Sequence, residues 1–148
     1  MPIKNYTTKI PSARTIAEIQ QMLGEHGAQS IGTHYQDKKV SAITFEIRSG
    51  ELVLRYLLPC RWQQIYALLN YDEKAKRVLR EMRLKLDEER CRAIGWRIVR
   101  DWLDAQLALI EAEMAEMEEV MLPYMLARDG RTAYEMLGGG RLLLEPKP

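Results

Sequence analysis

Apolar residues in the second half of the chain follow the spacing of one face of an α-helix. Eight of them recur at steps of three or four positions, at Trp96, Val99, Leu103, Leu107, Ile110, Met114, Met117 and Met121. This stripe predicts one continuous helix that ends near Leu122–Pro123, because a proline disfavours helix at the residue before it. Another helix is predicted from about residue 73 to residue 86, and Asp87 could either cap a new helix or lie within one continuous rod.

Apolar residues occupy every second position from Ile43 to Ile47 and from Leu52 to Leu58, which is typical of β-strands that pack on one face. The positions between them hold Ala42, Thr44, Glu46 and Arg48 in the first segment, and Val53, Arg55 and Leu57 in the second. A two-residue turn at Ser49–Gly50 predicts a hairpin whose inner side chains share that face. The predicted pairs are Ile47 with Leu52, Phe45 with Leu54, and Ile43 with Tyr56. A weaker strand at about residues 29–35, followed by a turn at residues 36–39, makes the sheet three-stranded.

Helical patterns lie on both sides of the predicted sheet. Ser12 is placed to cap a first helix that runs to about Glu25, and residues 62–69 predict a short helix after the last strand. We therefore predict an α+β fold, with a three-stranded antiparallel sheet packed with helices and followed by a long C-terminal helical region. The predicted domains are an αβββα unit at residues 1–71 and a helical region at residues 72–148, which includes a glycine link at 138–140 and an apolar tag at 142–144.

The αβββα order is similar to that of double-stranded RNA-binding domains. Those domains carry basic residues at the start of their last helix, where this chain has only Arg61, beside Trp62 and Gln63. Many unrelated small domains share the order, so it does not by itself predict RNA binding.

Charge is segregated along the helical half of the chain, although the net charge is only +1. Residues 72–100 contain ten lysines or arginines against six acids, whereas residues 101–119 contain seven acids and no base. A basic section followed by an acidic one favours docking to a polymer or a partner protein over catalysis.

Four basic residues recur every seven positions, at Lys76, Arg83, Arg90 and Arg97. On a continuous rod they would form one stripe with successive charges about 10.5 Å apart, a spacing that can follow a phosphate backbone. Nearby aromatic residues that could stack on unpaired bases are Trp62, Tyr66 and Tyr71. The predicted nucleic-acid contacts are Lys4, Lys9, Lys76, Arg80, Arg83, Arg90 and Arg97, with Lys4 and Lys9 on a polar N-terminal arm. The alternative is a solvated helix face that pairs with the acids at residues 87–89.

The acidic section predicts a second candidate surface, made of Glu113, Met114, Glu116, Met117 and Met121. Its carboxylates could imitate phosphate charge or bind a basic partner, and methionine adapts to irregular partner surfaces. An exposed apolar stripe of this length would need a cover, so we expect a second copy of the chain to bury it. The alternative is a set of solvated acids beside an ordinary helix core.

No constellation in the sequence indicates catalysis. The chain has two histidines, His26 and His34, and no paired-cysteine motif, so we predict no metal site, no cofactor and no catalytic residue. The charges of Arg90 and Arg92 could lower the thiol pKa of Cys91, although a packed cysteine is the favoured interpretation. No apolar run reaches the roughly 18 residues that span a bilayer, and two cysteines fit a reducing compartment, so we expect a cytoplasmic protein that does not enter a membrane.

Several segments resemble small, largely uncharacterised proteins encoded by bacteriophages and prophages. These segments are Lys4 to Lys9, Trp96 to Val99, Asp101-Trp102, Gln106 to Glu111, Leu122 to Tyr124, Gly130 to Thr132, and Tyr134-Glu135. The resemblance implies an accessory protein that acts inside a bacterial host cell, and it brings no catalytic residues.

Two functions follow as hypotheses. The leading one is a phage accessory protein that binds nucleic acid, without catalysis, through the basic helical face. The alternative is a protein-binding inhibitor of a bacterial defence system, comparable to an anti-CRISPR protein, that acts through the acidic, methionine-rich helix. A purely structural homo-oligomer is a third possibility.

Overall fold

The computed structural model describes residues 2–138 of the chain. These residues form a three-stranded antiparallel sheet and six α-helices, which confirms the predicted α+β fold. The strands are β1 (Ser30–Gln36), β2 (Lys39–Ser49) and β3 (Leu52–Pro59), and the helices are α1 (Ser12–Glu25), α2 (Trp62–Tyr71), α3 (Glu73–Glu81), α4 (Glu88–Glu111), α5 (Met117–Met121) and α6 (Ala133–Met136). The apolar tag and most of the glycine link lie outside the described residues.

The sheet has the order β1-β2-β3, as predicted, but the predicted hairpin register is wrong by two residues. The turn is formed by Gly50 and Glu51, so that Ser49 pairs with Leu52. Gly50 has a φ of +62°, as the first central residue of a type II′ turn requires. The observed pairs are Ile47 with Leu54, Phe45 with Tyr56, and Ile43 with Leu58. A shift of two residues keeps each side chain on its face, so the predicted inner face of β2 is correct and buried.

Three helices end in the same hydrogen-bonded motif, and only one of these ends carries a glycine. After α1, α3 and α4, the residue in the left-handed conformation is Gly27 (φ +96°), Arg83 (φ +57°) and Glu113 (φ +60°), respectively. In each case the next residue donates its N–H to a carbonyl five positions back, at 2.8 to 3.0 Å. This Schellman motif usually places glycine in the left-handed position, because glycine has no Cβ to clash. The predicted ends of the second and third of these helices are therefore wrong, since Arg83 and Glu113 give no sequence signal for a stop.

The chain forms two compact units. Unit 1 consists of residues up to 22 together with residues 60–105, and unit 2 consists of residues 23–59 together with residues from 106 onward. The domain boundary predicted at residue 71 stays a prediction. Unit 1 has an apolar core made of Ile65, Leu69, Ala75, Cys91 and Ile94, against which Ile3, Tyr6 and Trp62 pack.

In unit 2, the inner face of the sheet is buried, and the Phe45 and Tyr56 rings stack with centroids 5.1 Å apart. A later segment of the chain forms one short pairing with β3, in which the Leu126 N–H donates to the Arg55 carbonyl at 2.7 Å. Within residues 2–138, none of the helices has the length and apolar character that a bilayer-spanning helix requires.

Candidate nucleic-acid interface

Asp87 separates two helices, α3 and α4, rather than lying within one continuous rod. Its Oδ1 accepts the backbone N–H of Arg90 at 2.9 Å, which is the N-terminal cap of α4. Since α3 has already ended at Glu81, six residues without helical structure lie between the two helices. The alternative in which Asp87 caps a new helix is correct, and the predicted continuous basic stripe is wrong.

Three members of the predicted stripe are bound within the protein. The Arg90 guanidinium donates to the carbonyl oxygens of Lys85 and Thr8, at 2.8 and 2.7 Å. Arg97 Nη1 donates to Glu18 at 2.5 Å, and Lys76 Nζ lies 3.1 Å from the Glu73 carboxylate. A ligand could reach the bonded N–H groups of these side chains only in competition with their partners.

The N-terminal arm is attached to α4. Lys4 Nζ lies 3.1 Å from Asp101 Oδ2, and Asn5 Nδ2 donates to the same oxygen at 2.9 Å. Burial alone would raise the pKa of Asp101, but hydrogen bonds from Asn5, Lys4 and Arg100 outweigh it and lower the pKa below 3.8. Lys4 is therefore engaged inside the protein, whereas Lys9 is exposed and has no ion pair within residues 2–138.

The basic residues that stay available lie on α3 and on the turn after it. We call this set the α3 basic surface, and it comprises Lys74, Arg77, Arg80, Arg83 and Lys85. All five side chains are exposed, and none has an ion pair or side-chain hydrogen bond in the part of the chain that the structure describes. Two acids lie in the same stretch, Glu73, which pairs with Lys76, and the exposed Glu81.

The phase of α3 explains this exposure. Ala75 and Leu79 are buried, and Arg77 lies about 180° from their midpoint around the helix axis. Lys74 and Arg80 lie about 60° to either side of Arg77. The helix therefore turns its apolar residues into unit 1 and its cations to solvent.

Exposed aromatic residues precede the α3 basic surface. Tyr71, the last residue of α2, is 85% exposed, and Tyr66 is 42% exposed. Only Asp72 separates α2 from α3, and its carboxylate caps α3 by accepting the Ala75 N–H at 3.0 Å. Trp62, the third aromatic candidate, is engaged elsewhere, since the Arg92 guanidinium lies 5.0 Å from its ring centroid.

Sequence reasoning found Arg80 and Arg83 but missed Lys74, Arg77 and Lys85. The seven-residue spacing assumes one long helix. The residues chosen by this spacing therefore do not correspond to the exposed side of α3, which is set by its buried residues. Treating Ala75 and Leu79 as the buried face of a short separate helix would have identified Lys74 and Arg77. The exposure of Lys85 follows from the turn, for which no sequence signal was available.

The acidic section does not form the predicted helical stripe. α4 ends at Glu111, Met114 is 72% exposed after this end, and Met117 and Met121 of α5 are buried within the chain. A groove of about 850 Å³ lies here, lined among others by Ser49, Ile110, Glu113, Met114 and Glu116. A hydrogen bond from Ser49 lowers the pKa of Glu118, which also lines the groove. Glu113, Met114 and Glu116 therefore remain exposed members of the predicted partner-binding set.

The two cysteines are poorly suited to nucleophilic chemistry. Burial raises the thiol pKa of Cys60 to about 12, and the charge of Arg92 offsets this only in part. Burial and the Asp87 charge raise the pKa of Cys91 to about 11, against the opposing charge of Arg90. The expected effect of Arg90 is present but outweighed, and Cys91 is a buried, packed cysteine. Within residues 2–138, no group of three or more His, Cys, Asp or Glu side chains could hold a metal ion.

The comparisons with known proteins return no relative. No family model, curated protein or solved structure matches this chain.

Proposed function

We propose that this protein binds nucleic acid, without catalysing a reaction, through the α3 basic surface. The observation that carries the proposal is a contrast between α4 and the α3 basic surface. All four arginines of α4 have partners: Arg90 binds carbonyl oxygens, and Arg92, Arg97 and Arg100 pair with carboxylates. The five cations of the α3 basic surface have none within residues 2–138.

Unpaired cations on one short segment favour a polyanion as ligand. Binding of phosphates releases the counterions condensed on the strand, which supplies a favourable and salt-dependent free energy. Because Tyr71 and Tyr66 are exposed on the helix before this surface, we propose that the strand carries unpaired bases that stack on these rings. The proposed ligand is therefore a single strand rather than a duplex.

The setting we propose is the cytoplasm of a bacterial host cell, where the protein acts as a phage accessory protein. This part of the proposal rests on the resemblance of the segments quoted above to phage and prophage proteins.

The direct test is a binding titration of a labelled oligothymidylate at several salt concentrations. If all five cations contact phosphates, the slope of log K against log salt concentration should be about −3.5, at −0.7 per contact on a single strand. A matched duplex should bind more weakly. Undetectable binding at low salt, or a slope near zero, would reject the proposal.

A second candidate function is supported by the acidic groove. A partner protein with a basic, partly apolar segment could pair with Glu113 and Glu116 and cover Met114, as an inhibitor of a bacterial defence system would. The expected result is stable co-purification of a host protein. This complex should be lost in the triple variant Glu113→Gln/Met114→Ala/Glu116→Gln. Met117 is not a suitable target, because it is buried and its replacement would destabilise the fold. A complex that survives the triple change would exclude this surface.

A homo-oligomer was predicted because an exposed methionine stripe would need a second copy of the chain to bury it. Met117 and Met121 are instead buried by the chain itself, so they need no second copy. An oligomer stays a prediction, and sedimentation measures it directly.

A further inference from the structure

A small groove lies between the N-terminal arm and the turn that connects α3 to α4. We call it the arm groove; it has a volume of about 240 Å³ and is lined among others by Thr8, Lys9, Lys85, Asp87, Glu89 and Arg90. Its three cations come from the arm, the turn and the first part of α4. All of these residues belong to unit 1.

Arg90 is held in a fixed orientation within this groove. Its Nε donates to the Lys85 carbonyl at 2.8 Å, and its Nη1 donates to the Thr8 carbonyl at 2.7 Å. A guanidinium has five N–H groups, so three of them have no partner within residues 2–138. Such a preorganised guanidinium is suited to bidentate binding of a phosphate, because no side-chain freedom remains to be lost.

The same two hydrogen bonds position the two lysines of the groove. Arg90 binds the carbonyl of Lys85 itself and the carbonyl of Thr8, the residue before Lys9. Both lysine side chains are exposed and have no ion pair among the described residues. Three cations thus line one groove.

The two acids of the groove are engaged by backbone amides. Asp87 accepts the Arg90 N–H at 2.9 Å, and Glu89 accepts the Ser12 N–H at 3.4 Å. Neither acid forms an ion pair with a cation of the groove among the described residues, and the three cations exceed the two acids by one charge.

We propose that the arm groove binds a phosphate group of the nucleic-acid strand, which rests on the proposed function. Lys85 belongs both to the α3 basic surface and to the arm groove, so one strand can occupy both. Arg90, predicted on the heptad stripe, and Lys9, predicted on the N-terminal arm, would then contact phosphate here, at a separate pocket. The phosphate is either the terminal monoester of a strand or an internal diester.

The test is an NMR titration of the full chain that follows the Arg90 Nε–H signal and the backbone amides of Lys9 and Lys85. The probes are inorganic phosphate, oligothymidylate with a 5′-phosphate, and the same oligothymidylate with a 5′-hydroxyl. Each probe is tested on the parent protein, on the double variant Lys9→Ala/Lys85→Ala, and on the control Arg128→Ala. Arg128 is an exposed arginine of unit 2, and its replacement removes one positive charge outside the arm groove.

Saturable shifts of the Arg90 Nε–H with phosphate and with an oligothymidylate are expected. The double variant should bind phosphate at least tenfold more weakly, and Arg128→Ala should bind as the parent does. A stronger response to the 5′-phosphate oligonucleotide identifies a terminal monoester, and an equal response to both identifies an internal diester.

Other outcomes separate the two proposals. An oligonucleotide that binds with a salt slope but leaves the Arg90 signal and the double variant unaffected would overturn the arm groove and leave the proposed function standing. Binding of inorganic phosphate in the groove without any oligonucleotide binding would overturn both the proposed function and the assignment of this groove to a strand.

Discussion

The backbone N–H of Leu84 donates to the carbonyl of Leu79 at 2.8 Å, and this bond ends α3 beside its basic surface. To make it, the intervening Arg83 adopts a left-handed backbone with a φ of +57°. A residue with a Cβ loses about 1 kcal/mol or more in this conformation. One cation of the candidate interface is thus held by a strained turn, which makes stability and binding separable at this residue.

The first prediction uses this strain. Arg83→Gly should raise the free energy of unfolding by about 1 kcal/mol, because glycine adopts a positive φ without a clash. The same variant should bind oligothymidylate more weakly, since one cation is lost. Chemical denaturation and the binding titration measure the two effects.

The matched control for this prediction is Arg77→Gly. It removes one arginine from the same surface but places glycine in the interior of α3, so it should lower stability by about 1 kcal/mol. A loss of stability in Arg83→Gly comparable to that of Arg77→Gly would contradict the helix end described here.

The second prediction concerns the close approach of α4 to Cys60. A Cβ added at Gly95 would lie 2.7 Å from Cys60 Sγ and 3.3 Å from Ile65 Cδ1. Gly95→Ala should therefore destabilise the protein by about 1 to 3 kcal/mol through overpacking. A Cβ at Gly24 on α1 meets nothing within 4 Å, so Gly24→Ala should preserve or increase stability. Thermal melts of the two variants measure the difference, and equal melts would show that the contact is absent.

The third prediction is a pH dependence that originates at Asp101. Its pKa is lowered in the folded protein, so its contribution to stability is complete above the ordinary value of 3.8 and is lost as the pH falls through the lower, folded value. Asp101→Asn should flatten the loss of stability in this acidic range. Denaturation at a series of pH values tests the effect.

Asn5→Gly is the matched variant for this site. Asn5 has a φ of +65°, which glycine also adopts, so the change removes the hydrogen bond to Asp101 and keeps the backbone. It should raise the pKa of Asp101 toward its ordinary value. An unchanged acid-side slope in both variants would refute the role assigned to Asp101.

The fourth prediction concerns the thiols. Since burial raises the pKa of Cys60 to about 12 and of Cys91 to about 11, both are protonated near neutral pH. A thiol-specific reagent at mildly alkaline pH should react slowly with the folded protein and rapidly after unfolding in urea. Rapid reaction of either cysteine in the folded protein would show that it is not enclosed as described.

The alternation of residues 42–58 was sufficient to predict the sheet and its buried face, because both depend on a period of two. The register was missed because Ser49–Gly50 and Gly50–Glu51 are both plausible two-residue turns. The ends of α3 and α4 were missed for a different reason. Helix stops are recognised by glycine, whereas Arg83 and Glu113 occupy the left-handed positions here.

The candidate site was predicted only in part, because its definition depends on contacts between residues distant in sequence. Arg97 and Glu18 are 79 positions apart, and Arg90 and Thr8 are 82 positions apart. No spacing rule identifies such partners. The heptad therefore assigned Arg90 and Arg97 to ligand binding, although both side chains donate hydrogen bonds within the protein. Arg80 and Arg83 are exposed, and their predicted contact with nucleic acid stays a prediction.

The measurement that tests the central claim most directly is the salt dependence of oligothymidylate binding in Arg77→Ala/Arg80→Ala, compared with the parent protein and with Arg128→Ala. Each lost phosphate contact should reduce the slope of log K against log salt concentration by about 0.7, so the double variant should show a slope shallower by about 1.4. Arg128→Ala should keep the parent slope. An unchanged slope in the double variant, or a parent protein that binds no strand at low salt, would contradict the assignment of the α3 basic surface to nucleic acid.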